Sequence, residues 1–341
     1  MSSAAVMSAS EDRIDLLDGW RALSILLVLA GHLLPLGPSA WGLNGAAAGT
    51  GMVIFFNLSG FLIARMLLAH PDVPQFLIRR IFRIVPLAWV AMLALVIWNR
   101  PDAATIAANF GFVANLPPTA LMRGGEHLWS LCVEMQFYLG VALLVLLAGR
   151  RGLYLLPFAA IAVTALRIAE GATMSIYTWQ RIDEILTGAT LAILLTTPAF
   201  GRFAAKLPRL TPLLLFPLVV ASAHEQAGAL AYARPYLSAA MVGLSLFAAP
   251  AIMATIFRSA PARYVATTSY ALYVFHGILM ATPFNAAEGV QRYVNRALVI
   301  AATFALAHAS TFWFEARMTV LGRRLANRIG SRRSPEARVR P

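Results

Sequence analysis

The chain holds one cysteine, Cys132, and it sits in an apolar run. It supports neither a disulfide framework nor a thiolate metal site, and a lone thiol among apolar neighbours behaves as a small hydrophobe. Charge is scarce: 13% of residues are charged, where a soluble globular domain has roughly a quarter. No group of histidines and carboxylates has metal-ligand spacing, so no metal is expected. A lipid-linked sugar transferase is disfavoured because the sequence has no carboxylate-rich metal loop. Neither an internal repeat nor a low-complexity tract is present. The opening MSSAAVMSASEDRIDLLDG is polar and acidic and does not resemble a signal peptide, so the first apolar segment is expected to be retained as an anchor.

Apolar residues are abundant. They make up 59% of the chain, and mean hydropathy is +0.70. These values describe an integral, multi-span membrane protein with lipid as its surroundings. Net charge is +13, but the basic residues fall in short loops between apolar runs, which excludes nucleic acid as a partner.

The apolar segments are Trp20–Leu36, Thr50–Leu68, Ile84–Trp98, Leu128–Ala148, Leu153–Ile168, Ile185–Thr197, Leu210–Ala223, Tyr236–Phe257, Ala266–Pro283 and Arg296–Phe314. They predict an all-α polytopic protein of about ten membrane helices. The segments ending at Thr197 and Ala223 are short and are expected either to extend into their flanks or to be re-entrant. With the N-terminus inside and the segments alternating, 19 of the 28 Lys and Arg residues fall on the cytoplasmic side and 7 outside; Arg21 and Arg65 lie within spans. This is the positive-inside bias of a correct topology, with both termini cytoplasmic. The implied organisation is a cytoplasmic segment 1–17, a membrane domain 18–316 and a basic tail 317–341.

Ionisable groups inside hydrocarbon need a reason. Arg21 and His32 lie eleven positions apart in WRALSILLVLAGHLLPL. At ~100° and ~1.5 Å per residue they share a helix face about 16 Å apart, which points to an interior polar pathway. In FFNLSGF, Ser59 and Gly60 read as helix packing in preference to a catalytic serine. Arg79, Arg80 and Arg83 precede Pro86 at the cytoplasmic mouth. Ordinary positive-inside charge and capture of a phosphorylated ligand stand level as explanations. His127, Glu134 and Tyr138 share a face of the fourth span. Glu134 is either a structural partner of Arg21 or Arg65, or the carboxylate that orients a catalytic imidazole. Arg181 and Asp183 mark the outer entrance to the sixth span, and Glu184 reads as part of a solvated loop pair. Ser269, Tyr273 and His276 form a polar stripe, with interhelical contact and substrate contact equally open. His70, His224 and His308 have no such company.

Taken in order, DGWRALSILLVLAGH, FFNLSGFL, RRIFRIVP, HLWSLCVEMQFY, RIDEILTG and SYALYVFH resemble the acyltransferase-3 family of bacterial membrane acyltransferases. The resemblance implies transfer of an acyl group, usually acetyl from acetyl-CoA, onto hydroxyls of extracytoplasmic or lipid-linked glycans. Some members acylate small molecules such as macrolides. It implies that Arg21 and His32 are the essential first-helix pair and that Arg80 and Arg83 form the family's Arg-x-x-Arg element. His127, Trp129, Ser130 and Glu134 match its fourth-helix signature. Trp20 departs from the smaller aliphatic residue common there, and the fused esterase domain of some members is absent. On this basis His32 is expected to act as general base or transient acyl acceptor, with Glu134 fixing its tautomer. Arg79, Arg80 and Arg83, with Arg21, would hold CoA phosphates. Tyr138, Tyr273 and His276 would position the acceptor. The expected location is the bacterial inner membrane, with polysaccharide assembly proteins as partners. A glycan or solute transporter is the rival class. No matched pair of broken helices or inverted repeat favours it.

Overall fold

A computed structural model of the chain describes residues 3–282 and 289–332, with side chains for 15–282 and 290–329. Of the regions read above, residues 1–2, Pro283 and the tail beyond 332 lie outside the described residues, and with them Arg333, Arg338 and Arg340. Among the described residues the protein is helical throughout and has no strand. The helices are α1 (Ser3–Leu33), α2 (Leu43–Ala69), α3 (Val73–Asn99), α4 (Ala103–Phe110), α5 (Trp129–Ala148), α6 (Leu156–Ala169) and α7 (Asp183–Leu194). There follow α8 (Pro198–Ala204), α9 (Thr211–Ser222), α10 (Leu230–Ser245), α11 (Ala251–Phe257), α12 (Ala260–Met280), α13 (Gly289–Ala309) and α14 (Ala316–Arg332).

Each apolar segment lies in helix, but lengths differ from the reading above. Five stretches are long and apolar enough to cross a membrane: Asp15–Leu33, Leu43–Ala69, Val73–Asn99, Glu126–Ala169 and Val290–Ile329. The 44 residues of Glu126–Ala169 contain two of the apolar segments, joined through a 3-10 turn at Gly149–Leu155. α7 and α8 make a sixth span only as a pair bent by 99°, and α9 has just 12 residues. The segment ending at Phe257 breaks between Ser245 and Ala251 into α10 and α11, with Pro250 at the N-cap of α11.

α3 begins eleven residues before its apolar run, capped by Asp72, whose carboxylate accepts from the Gln75 backbone N–H at 3.1 Å. Its 27 residues span about 40 Å, more than the ~30 Å of hydrocarbon. The surplus turns carry the three arginines. At the other end, Asp102 caps α4 by accepting from the Thr105 backbone N–H at 2.7 Å, which holds its carboxyl below the usual range. α13 runs through a π-helical stretch, Ser310–Glu315, into α14, so the first half of the basic tail is helical.

The chain divides into two compact units, residues 1–65 with 154–273 and residues 66–153 with 274–341. In the first, helices meet through small residues. Gly31 of α1 faces Asn44, whose amide donates to the carbonyls of Gly31 and Leu34 at 2.7 Å each and so satisfies the end of α1. A Cβ on Gly60 would overlap the Ile185 carbonyl, and one on Gly188 would overlap the backbone of Asn57. α2 and α7 therefore touch backbone to backbone, which bears out the packing reading of FFNLSGF. Trp20 is buried against Phe257, ring centroids 5.1 Å apart and edge to face, and donates to Ser245 Oγ at 2.8 Å. In the second unit α3 packs on α14 and α5.

Gly188→Ala is expected to destabilise the protein by about 1–3 kcal/mol, because two backbones must separate. Gly140→Ala, where a Cβ meets nothing within 4 Å, should leave stability unchanged or slightly raised. Thermal unfolding of both variants in detergent checks this.

Candidate active site

The second unit contains most of the expected site residues. Each of the three arginines of α3 meets a different neighbour. Arg79 donates to Gln75 Oε1 and to Asn327 Oδ1 of α14, both at 3.0 Å. Arg83 is exposed and faces Glu315 of the π-helical stretch. Arg80 turns toward α5, where it hydrogen-bonds Tyr138, lies over its ring at 5.9 Å, and faces Glu134. Tyr138 in turn donates its hydroxyl to Glu134 Oε1. Both α5 residues are buried, at 2% and 5% exposure. The cation the structure shows beside Glu134 is thus Arg80, with a phenol bridging the two.

A cavity of about 810 Å³ opens beside this group, between the start of α3 and the end of α5. Arg79, His70, Gln75 and Asp72 line it. The volume lies within the range of small-molecule sites. His70, read as unremarkable from the sequence, is on its wall.

At the other end of α5, His127 and His276 form a pair, ring centroids 4.9 Å apart at 67°. His127 Nε2 lies 3.0 Å from the Val274 carbonyl, which only accepts, so Nε2 carries the hydrogen. Gly277 makes this approach possible, since a Cβ there would overlap the His127 ring. His276 is fully buried; Ser130 is buried at the start of α5, and Trp129 is half-buried.

The first unit holds the remainder. Arg21 is half-buried and pairs with Asp18 at 3.3 Å. His32 is the penultimate residue of α1 and is exposed; a ring N–H bonds the Val28 carbonyl one turn earlier. In the neutral ring that leaves the other nitrogen with its lone pair. Tyr273 is buried and stacks on Phe55, centroids 6.3 Å apart and planes within 5°.

One group of charges escaped the sequence reading. Glu184 is not part of a solvated pair: it is fully buried, as are Asp183, Arg167, Arg181 and Arg234. Glu184 Oε1 meets Arg234 Nε at 2.9 Å and Oε2 meets Arg181 Nε at 3.3 Å, while Asp183 Oδ2 meets Arg167 Nη1 at 2.6 Å. Arg167 and Arg234 also donate to the Thr173 carbonyl, at 3.1 and 3.4 Å. Asn57 donates to the Glu184 carbonyl at 2.6 Å. Burial pushes the Arg181 guanidinium down to about 10, against the opposing pull of Glu184. The signal was available: Arg167, Arg181 and Arg234 are three cations flanking apolar segments on one side of the membrane. Loop position hid it, because each looked like ordinary surface charge.

A family profile described as an acyltransferase domain matches residues 14–315, which covers all of these groups, and the chain belongs to the acyltransferase-3 family. It is 29% identical over 353 residues to the peptidoglycan O-acetyltransferase OatA of Listeria monocytogenes, covering 88% of this chain and 54% of that protein. It is 26% identical over 325 residues to the putative peptidoglycan O-acetyltransferase YrhL of Bacillus subtilis, covering 78% and 49%. A putative membrane-bound transacylase of Komagataeibacter xylinus, BcsY, is 33% identical over 152 residues, covering 38% of this chain and 37% of that protein. The chain spans about half the length of the first two relatives. No solved structure matches. Among the described residues there is no group of three or more potential metal ligands.

Removing one partner of the buried charge group strands the others. Glu184→Gln is expected to destabilise the fold by about 3–5 kcal/mol. The same change at the exposed Glu225 should have no effect on thermal unfolding.

Proposed function

We propose that the protein is a membrane-bound O-acyltransferase of the bacterial inner membrane that moves an acetyl group from acetyl-CoA onto a hydroxyl of an extracytoplasmic or lipid-linked glycan. The observation that carries this reading is the trio Arg79, Arg80 and Arg83 at the cytoplasmic end of α3, with Arg79 on the wall of an open cavity of about 810 Å³. Forked guanidinium groups suit phosphate oxygens, and their separate partners spread them over one helix end instead of letting them collapse onto a single acid. Two relatives are named for O-acetylation of peptidoglycan, which supports a glycan acceptor.

His32 acts as the base. Its unprotonated ring nitrogen takes the proton of the acceptor hydroxyl as that oxygen attacks the thioester carbonyl carbon. The new C–O bond forms, the C–S bond breaks, and the imidazolium returns its proton to the departing thiolate, giving CoA as the thiol. The Val28 carbonyl supplies the orienting contact that the sequence reading sought from Glu134. Glu134 instead fixes Arg80 through Tyr138, so that the guanidinium is held ready for the donor. Arg21 adds positive charge on the first-helix stripe. Ser130, Trp129, His127, Tyr273 and His276 contribute to acceptor binding.

His32→Ala is expected to lower the rate about 10²–10⁴-fold, the usual worth of a general base. Arg80→Ala is expected to raise the donor KM about tenfold or more, with Arg80→Lys recovering only part, because lysine cannot form the fork. Transfer of labelled acetyl from acetyl-CoA to membrane glycan by the purified variants measures both. Wild-type activity in the His32 variant ends the base assignment, and unchanged donor affinity in the Arg80 variant ends the phosphate-capture assignment.

A further inference from the structure

We infer that a second cavity, at the outer end of α3, is the acceptor subsite and that it takes a pyranose ring bearing an acidic substituent. This rests on the acyltransferase reading for the role of the sugar, but the site itself is argued from its walls. The cavity is about 390 Å³ and lies within the second unit, between the end of α3, the loop at 123–124 and the end of α12. Its volume suits one or two sugar rings. The arginines mark the cytoplasmic end of α3, so this end faces out.

The lining has the chemistry a sugar needs. A pyranose presents a face of C–H groups and an edge of hydroxyls. Trp98 contributes a flat indole, 50% exposed, for the C–H face. Two acceptors are set for the hydroxyls. Asn99 spends its Nδ2 on the Arg123 carbonyl at 2.7 Å, which leaves Oδ1 to accept. Thr282 donates its hydroxyl hydrogen to the Leu279 carbonyl at 2.6 Å, which leaves its oxygen to accept. Arg123 adds a cation, and its guanidinium makes no ion pair among the described residues. A carboxylate on the sugar suits that guanidinium.

The loop is shaped to keep this space. Gly124 has a φ of +79°, and a Cβ there would lie 3.1 Å from Ala281 Cβ; a Cβ on Gly125 would lie 2.8 Å from Leu95 Cδ1. Both positions demand the smallest residue for the loop to pass. The same loop leads within two residues to His127, which pairs with His276. An indole at this height also suits a membrane-interface anchor. That role accounts for Trp98 alone and leaves the two oriented acceptors and the cation unexplained.

The test uses the full chain in nanodiscs. Saturation-transfer NMR measures binding of two probes, an N-acetylglucosamine tetramer and a disaccharide containing a uronic acid. CoA release by the wild type is followed separately. The expected result is tighter binding of the acidic probe by the wild type. Trp98→Ala should weaken both probes about tenfold, with Trp98→Phe within threefold of wild type. Arg123→Gln should weaken only the acidic probe, about tenfold, and Arg123→Lys should restore its preference. Unchanged affinity in Trp98→Ala and Arg123→Gln overturns the inference, as does equal weakening in Trp98→Ala and Trp98→Phe accompanied by a fall in thermal stability, which marks an anchor. A wild type that binds sugar but never releases CoA overturns the donor reading of the previous section and leaves this site standing.

Discussion

A carboxylate sealed from water must be matched, and Glu184 shows how strongly that requirement shapes the first unit. Each of its oxygens meets a different guanidinium, at 2.9 and 3.3 Å, and Asp183 beside it meets a third. At an effective dielectric near 20 each contact is worth about 4 kcal/mol, while taking each ion out of water costs several. The two sides nearly cancel, so the group adds little net stability. What it imposes is arrangement. α6, α7, α10 and the 172–174 backbone are held in one geometry because any other strands a charge. The glycines at 60 and 188 belong to the same constraint. Asn57 reaches the Glu184 carbonyl at 2.6 Å only because the α2 and α7 backbones touch.

The second unit answers the same requirement with an open group. Its guanidiniums lie at a helix end, Arg79 on the wall of a cavity, and each is steadied by a different contact. On a helix, Arg79 and Arg83 are about 40° apart and Arg80 about 100° from Arg79. That spacing sends the first toward α14, the last toward Glu315 of the π-helical stretch and the middle one toward α5. Tyr138 is the piece that makes this work, because its hydroxyl lets a buried carboxylate hold a half-buried cation without closing a tight pair over it. A direct ion pair would satisfy both charges and leave less to offer an incoming phosphate.

The sequence showed helices more readily than their ends. Among the described residues every apolar segment is mainly helical, because a backbone in lipid must satisfy its own polar groups. Boundaries failed where polar residues continue a helix beyond the hydrocarbon: the arginine turns of α3 and the basic α14 are helical by packing on each other, which hydropathy does not register. The one-turn interval from Glu134 to Tyr138 was legible as a contact along α5, whereas His127 lies in the 3-10 turn Glu126–Leu128 before that helix and has other neighbours. The meeting of His127 with His276 was not legible, since it joins positions 149 apart. Glu184 was misread for a similar reason. Its matching cations lie at 181 and 234, and only the fold brings the second one within reach.

In the proposed reaction, where along the membrane acyl transfer should occur follows from what each substrate loses on entering. Burying a sugar hydroxyl without a partner costs about 4–8 kcal/mol against an alkane, and a ring carries several. A thioester arm is far less polar, and each methylene gains about 0.8 kcal/mol on leaving water. The cheaper course brings the donor most of the way across and keeps the acceptor near its own side. A base serving that reaction belongs toward the outer end of its helix. His32 is one residue from the end of α1, with its tautomer set by the carbonyl of Val28. A base in mid-membrane would force the polar substrate inward. In the proposed reaction the arginines of α3 would serve the phosphates, the part of the donor least able to leave water.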